Sequence, residues 1–358
     1  MIVVKESGSS TFDLDVSLTL PITNYRSILS EDYQSEFILD NSSVDSDGDA
    51  IVNGVSYIVF IASIARNESN KAFSGINSSN AITLAQDNLV RSLSDGFSAS
   101  GGIVVGSDGS IYVADFGTGS SDGTTILRFD SNGNIAGTFA NGLLGPTGGA
   151  FDSNGNLYWS SYSASKVHKI DASGRVSDFV DIPGPVAIAV DDFDNLFIAS
   201  CDGNDIKKVT TDGSVTTFAT SSSFNCINGL TITETGELFG CNFEDGRVFK
   251  ISTSGAVSSF ATIPSRSSVN MTYSNGLLYV TGRDAHRIYT INTTTRQIET
   301  FAGTGIRGNK DGAALNAQFS FPNGIKFSND GSKIYVNDVS PTSSGFNPNI
   351  LRVIEIIE

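Results

Sequence analysis

The chain is poor in the residues that most often carry chemistry: among 358 residues there are two His, three Cys, one Trp and two Met. Three cysteines, at 201, 226 and 241, exclude a disulfide framework of the small-scaffold kind. None lies in a Cys-x-x-Cys or Cys/His spacing that would hold zinc. Two readings of them stay open: one bridge from Cys226 to either of the others with a free thiol left over, or three buried thiols. No apolar run approaches the ~18–20 residues of a membrane helix, so no membrane insertion is expected. The opening Met1-Ile2-Val3-Val4-Lys5 has neither the basic stretch nor the apolar core of a signal peptide. That leaves a cytoplasmic protein or a natural N-terminus farther upstream, and the composition points to an extracellular, periplasmic or cell-surface setting. Positive charge is scarce too, with 22 Lys and Arg against 38 Asp and Glu, a net charge of −16 and a pI near 4.4. Such a surface repels phosphate backbones and anionic membranes, which excludes nucleic acid as the main partner. No Gly-x-Ser-x-Gly, His-Glu-x-x-His or phosphate loop occurs.

What is present is turn chemistry and a core. Glycine is frequent (37) and proline rare (8), which favours short strands joined by many turns. A hydrophobic fraction of 39% with 23 Phe suffices for a packed interior.

One phrase recurs: an aliphatic-aromatic pair, small residues, then a short polar ending. It reads Ile111-Tyr112-Val113-Ala114-Asp115, Leu157-Tyr158-Trp159-Ser160-Ser161, Leu196-Phe197-Ile198-Ala199-Ser200, Leu238-Phe239-Gly240-Cys241-Asn242, Leu278-Tyr279-Val280-Thr281-Gly282 and Ile334-Tyr335-Val336-Asn337-Asp338. A turn precedes each copy, and a unit repeating every ~40–50 residues decides the fold. The best unit supplies four short strands at 188–190, 196–200, 206–209 and 215–218, and the fourth strands each carry one aromatic: Phe139, Phe179, Phe218, Phe260 and Phe301. Four antiparallel strands joined by tight turns make one blade of a β-propeller, and blades must stack around an axis to bury both faces. Six copies of strands one to three meet only five fourth strands. The missing outer strand is expected at 89–93, so the reading is an all-β, six-bladed ring closed by an N-terminal strand that completes the last blade.

Residues 1–86 lack the repeat, and residues 87–358 form the propeller domain. Strands are expected at 55–62 and 81–84, with earlier candidates at 12–20 and 36–39. Asn53-Gly54 before the strand holding Tyr57 resembles the end of a fibronectin type III or immunoglobulin-like sandwich, here small and without that fold's third-strand Trp. Asp45-Ser46-Asp47-Gly48-Asp49 reads as an acidic turn rather than a calcium loop, because no Glu follows at the twelfth position.

The stretch Phe301-Ala302-Gly303-Thr304-Gly305, Asp311-Gly312-Ala313 and Phe319-Ser320-Phe321-Pro322-Asn323-Gly324-Ile325 resembles the NHL repeat, and the segment from Pro322 to Asp338 is similar to the gluconolactonase/senescence-marker-protein family. The resemblance covers residues 87–358 and implies a six-bladed propeller whose site lies on the channel face. There, residues just before strand one (Gly101, Thr147, Val186, Asn228, Val269, Asn323) and those ending strand two are candidates. The expected ligand contacts are Asp115, Tyr162, Asn228, Asn242, Phe243, Asn323 and Asp338. In gluconolactonase-like enzymes a divalent metal is held before strand one by a Glu, Asn residues and an Asp. Here only Asn228 and Asn323 match, so calcium or another divalent cation would rest on those two, with Asp115 and Asp338 as possible additions. A lyase of the virginiamycin B type would need a placed His; His168 falls in a third strand and His286 in a turn. The favoured expectation is a monomeric binding or scaffolding module for protein or carbohydrate; the alternative is a metal-dependent hydrolase of a lactone or ester.

Overall fold

The repeated phrase is the second strand of every blade, and it is buried on both faces. In the computed structural model the described residues are 88–119, 121–343 and 345–357, together with the strands Ile2–Glu6, Ser56–Ala65, Ala72–Ser78 and Ile82–Thr83. The chain divides into two compact units, Met1–Asp87 and Asn88–Glu358. In the first, Ser56–Ala65 pairs antiparallel with Ile2–Glu6, Ala72–Ser78 and Ile82–Thr83. The candidate strands at 12–20 and 36–39 and the acidic turn at 45–49 lie outside the described residues.

The second unit is a six-bladed propeller of antiparallel four-stranded sheets. Blade 1 is Ile103–Val105, Ile111–Ala114, Thr125–Phe129 and Ile135–Asn141; blade 2 is Pro146–Phe151, Leu157–Ser161, Lys166–Ile170 and Val176–Asp181. Blade 3 is Pro185–Val190, Leu196–Ser200, Asp205–Val209 and Val215–Thr220; blade 4 is Ile227–Ile232, Leu238–Asn242, Arg247–Ile251 and Val257–Thr262. Blade 5 is Ser268–Ser274, Leu277–Gly282, Arg287–Asn292 and Ile298–Ala302. Blade 6 takes Ile325–Phe327, Lys333–Val339 and Asn349–Glu355 from the end of the chain and Leu89–Phe97 from the start, as the missing fourth strand requires. A short fifth strand, Gly312–Ala313, covers the outer edge of Leu89–Phe97. The only helical turn among the described residues is Ala314–Asn316.

Period-two alternation explains the phrase. Side chains along a strand point alternately to opposite faces, and each blade is covered on both. In blade 1, Ile111 and Val113 pack toward blade 6 while Tyr112 and Ala114 pack toward blade 2. In blade 3, Leu196 and Ile198 face blade 2 and Phe197 and Ala199 face blade 4. The second-strand aromatic meets the fourth-strand aromatic of its own blade: Tyr112 on Phe139 (4.8 Å between centroids), Phe197 on Phe218 (4.8 Å), Phe239 on Phe260 (4.9 Å) and Tyr279 on Phe301 (5.0 Å). These are edge-to-face or tilted contacts, the geometry the ring quadrupoles favour. A third-strand cation covers the same ring in several blades, as Lys208 does over Phe197 at 5.3 Å. The core is therefore six inter-blade layers, not one central mass.

The seam between blades 6 and 1 is fastened by amides. The Asn337 Nδ2 donates to the Ala99 and Gly101 carbonyls at 2.9 and 2.7 Å, and the Asn323 Nδ2 donates to the Ser100 carbonyl. These bonds join the first blade to the last near the channel.

Candidate functional site

The loops leading into strand one and those leaving strand two converge on one face of the ring. There they enclose a cavity of about 450 Å³. Its walls come in two tiers. The deeper tier is the set of residues at the start of strand one: Gly101, Thr147, Val186, Asn228 and Asn323, joined in blade 5 by Asn270. The upper tier is the residue directly after the repeated phrase: Phe116, Tyr162, Cys201, Phe243 and Arg283. Phe346, from the loop between the second and third strands of blade 6, completes the wall.

Strand alternation decides which residues reach the cavity. The fifth residue of the phrase turns into the ring and is consumed there. Asn242 is fully buried, accepts from the Asn225 amide at 3.0 Å and donates to the Ser223 carbonyl and the Asp245 carboxylate. Asp338 is fully buried and accepts from the Ser320 and Phe321 amides, with Arg352 3.5 Å away. Asp115 accepts from the Gly117 amide at 3.0 Å, and its partial burial raises its pKa. These three sequence candidates therefore do not line the cavity: they anchor the loops that shape it. Tyr162, Phe243, Asn228 and Asn323 do line it. The next residue along the chain points the other way, which is why the sixth position and not the fifth carries the variation that a ligand would meet.

The floor has its own pattern. Equivalent positions of the first strands hold Gly102, Gly148, Ala187, Gly229 and Gly324, and in blade 5 Asn270. The inner strands crowd together here: a Cβ on Gly102 would stand 2.8 Å from the Thr147 carbonyl, and one on Gly148 would stand 2.7 Å from that of Val186. Only glycine fits so close an approach at these two positions. Asn270 uses the space they leave, its Nδ2 lying 3.5 Å from where a Gly102 Cβ would be, while its Oδ1 accepts from the Met271 amide at 2.9 Å. Its amide nitrogen is left at the cavity floor.

Two charged side chains line the cavity, Glu244 on the exposed rim and Arg283 in the wall. Tyr162 donates its hydroxyl to Asp202 at 3.2 Å, and burial followed by the Asp202 charge raises its pKa. Neither histidine lines the cavity. His168 sits in blade 2 with Nδ1 3.2 Å from Asp178, and His286 packs on Phe321 with centroids 4.9 Å apart. A general base of the lyase kind is therefore not placed at the cavity by either one.

The donors do not fit a resident divalent cation. Such an ion takes several carboxylate or carbonyl oxygens. Asn228 and Asn323 offer only two amide oxygens, Asp115 and Asp338 are turned away, and no group of three or more His, Cys, Asp or Glu side chains able to hold a metal occurs among the described residues.

The cysteine question resolves as a bridge. Cys201 and Cys226 are disulfide-linked with Cα atoms 4.0 Å apart, and Cys241 is free and buried. Both half-cystines line the cavity, so the bond ties the loop after the second strand of blade 3 to the lead-in of blade 4. The Cys226 carbonyl accepts from the Phe243 amide at 3.0 Å, which relays the bridge to an aromatic wall. Burial pushes the Cys241 thiol up to about 12, leaving it unreactive in the folded protein. Replacing Cys226 by Ser is expected to cost ~2–4 kcal/mol on chemical denaturation. A thiol reagent should label no site in the native protein and one in the unfolded, unreduced chain; two or more labels would rule out the bridge.

Sequence reasoning passed over Phe116, Arg283, Asn270 and Phe346. The first two follow the phrase where Tyr162 and Phe243 do, so extending the alignment of the six copies by one residue exposes them. Asn270 is legible as the break in a column of small residues. Phe346 lies in a loop without a counterpart in the other blades, and no periodic signal marks it.

A repeat of unknown function, DUF6923, matches residues 186–353. No curated protein matches the chain in sequence. Solved propellers share the fold. The virginiamycin B lyase of Staphylococcus aureus is 19% identical, with 71% of this chain and 80% of that one covered and a TM-score of 0.51. A gluconolactonase of Xanthomonas campestris is 12% identical, covering 75% and 89%, with a TM-score of 0.58. An auxiliary nutrient binding protein of Bacteroides ovatus is 12% identical, covering 85% and 84%, with a TM-score of 0.62. At these identities the likeness is one of fold.

Proposed function

We propose that the chain is a binding module that holds a carbohydrate ligand in its channel-face cavity. The observation that supports this reading most is the lining itself: four aromatic rings, Phe116, Tyr162, Phe243 and Phe346, around the side-chain amides of Asn228, Asn270 and Asn323. Aromatic faces stack on the C–H faces of sugar rings, and amides offer both a donor and an acceptor to paired hydroxyls. A mostly apolar cavity of this size with a few convergent polar groups is the usual form of a small-ligand site. The Bacteroides nutrient binding protein on the same fold is compatible with such a role. The acidic surface belongs to a monomer working outside the cytoplasm without nucleic acid.

Calorimetry against a panel of oligosaccharides tests the reading. A binder is expected to lose about tenfold in affinity in Phe243→Ala, the ~1.4 kcal/mol that a stacked ring supplies. Its affinity should not change on adding a chelator. Lactone hydrolysis abolished both by chelator and by Asn323→Ala would instead establish the gluconolactonase-like alternative.

A further inference from the structure

Arg283 is the cavity residue that the fold does not use. It follows the second strand of blade 5, and its guanidinium carbon lies 4.3 Å from the centre of the Phe346 ring and 5.4 Å from that of Phe321. Among the described residues its side chain makes no hydrogen bond and no ion pair, and Nε is buried without a partner. Glu244, the carboxylate of the cavity rim, does not pair with it within 4.0 Å. Its neighbours are treated differently. Arg307 donates to Ser320 Oγ and the Ser343 carbonyl at 3.0 and 2.7 Å, and Arg287 donates to the Thr304 carbonyl at 2.7 Å. Arg283 is half-buried, and a guanidinium Nε buried without a partner is costly; the usual remedies are a carboxylate or a set of carbonyls. Burial lowers the Arg283 pKa to about 10, with Asp338 and Asp284 opposing, so it keeps its charge at neutral pH.

We infer that the ligand carries a carboxylate, and that the Arg283 guanidinium, held over the Phe346 ring, receives it as a fork while the sugar ring rests on the aromatic wall. This rests on the carbohydrate reading and narrows it to acidic sugars, that is, glycans containing uronate residues. Planar guanidinium and planar carboxylate match as two parallel N–H···O bonds, and stacking on an aromatic ring fixes the fork before the ligand arrives. The rest of the chain, at −16, repels anions. The site must therefore supply the positive charge locally, and Arg283 is where it does so.

The probes are an oligogalacturonate and the same oligomer fully methyl-esterified, which keeps the sugar framework and removes the charge. Wild type is expected to bind the acid about ten- to a hundredfold more tightly than the ester, and Arg283→Gln to bind both with the weaker affinity. Arg283→Lys should recover only part of the difference, because it restores charge without the fork. Ligand-free Arg283→Gln should melt no lower than wild type, since the substitution removes a half-buried charge whose Nε has no partner. Equal binding of acid and ester by wild type would overturn the carboxylate inference and leave the carbohydrate reading standing. Acid binding that survives Arg283→Gln, in a variant of lowered stability, would make Arg283 a packing residue and overturn the inference as well. Binding of neither oligomer or of any neutral sugar would overturn the carbohydrate reading and the inference together.

Discussion

A chain beginning at Ser98 is expected to melt roughly 10–20 °C below one beginning at Asn88. The difference between them is the strand Leu89–Phe97 and its immediate lead-in, which enters blade 6 between Asn349–Glu355 and Gly312–Ala313. Val90 is fully buried in the layer between blades 5 and 6, and Phe97 is buried in the layer between blades 6 and 1, its ring 5.0 Å from that of Phe129. Each such side chain stabilises by ~1.5–3 kcal/mol, so losing both weakens the two layers that flank the closing blade. In a unit of this size one kcal/mol moves the midpoint by ~2–4 °C, and the lost strand pairing adds to the loss of burial. The strand Asn349–Glu355 would become an exposed edge in which Ile350, Leu351, Val353 and Ile354 have lost their cover, a template for aggregation. Calorimetry of the two chains checks this, and equal midpoints would show that the ring does not depend on its closing strand.

The fold was legible because its signal repeats. The aliphatic-aromatic pair recurs in six copies, and both faces of each second strand are buried, so a period-two pattern and a fixed spacing together leave few alternatives. Even the closing strand followed from counting fourth strands against third ones. The site was harder to read for a reason that lies in the same alternation. The conspicuous polar residues at the end of the phrase, Asp115, Asn242 and Asp338, are conspicuous because each satisfies backbone groups in a loop, and a polar group spent on the fold does not face a ligand. The residues that line the cavity, Phe116, Tyr162, Phe243 and Arg283, stand one position later and look like ordinary loop residues in isolation. Asn270 resembles any other strand residue until its five counterparts are aligned as glycine or alanine. The cysteine pairing needed three dimensions, since Cys226 is closer in sequence to Cys241 than to Cys201, the partner it takes 25 residues away.

Arg352→Met is expected to destabilise the propeller by ~3–5 kcal/mol at neutral pH, the cost of leaving a buried carboxylate without its cation. Arg352 is fully buried in the third strand of blade 6 and holds together pieces of chain far apart in sequence. It donates to the Gln318 and Lys310 carbonyls at 2.8 and 3.1 Å and to Asp311 at 2.7 Å, and stands 3.5 Å from Asp338. Asp311 in turn accepts from the Ser92 amide and hydroxyl at 2.9 and 3.0 Å, so the same cluster reaches the closing strand. Methionine fills the space and keeps the apolar contact with Phe319, but it strands Asp338. Burial pushes the Asp338 carboxyl up to about 6, against the pull of the Ser320 amide and of Arg352. A raised carboxyl pKa means that the folded protein holds a proton which the unfolded chain, titrating near 3.8, has released. The stability tied to that proton is fully present below about pH 4 and is lost as pH rises through about 6. Removing Arg352 raises the carboxyl further, so the defect of Arg352→Met should be largest above neutrality and narrow as the pH falls toward 5. Adding Asp338→Asn, which has no charge to strand, should return much of the loss at pH 7 and flatten its pH dependence. Urea denaturation of the two single variants and the double one measures the coupling directly. Additive losses that are the same at pH 5 and pH 8 would mean that Arg352 acts through the Gln318 and Lys310 carbonyls and Asp311, and that its pairing with Asp338 is not what locks the last blade to the strand that closes it.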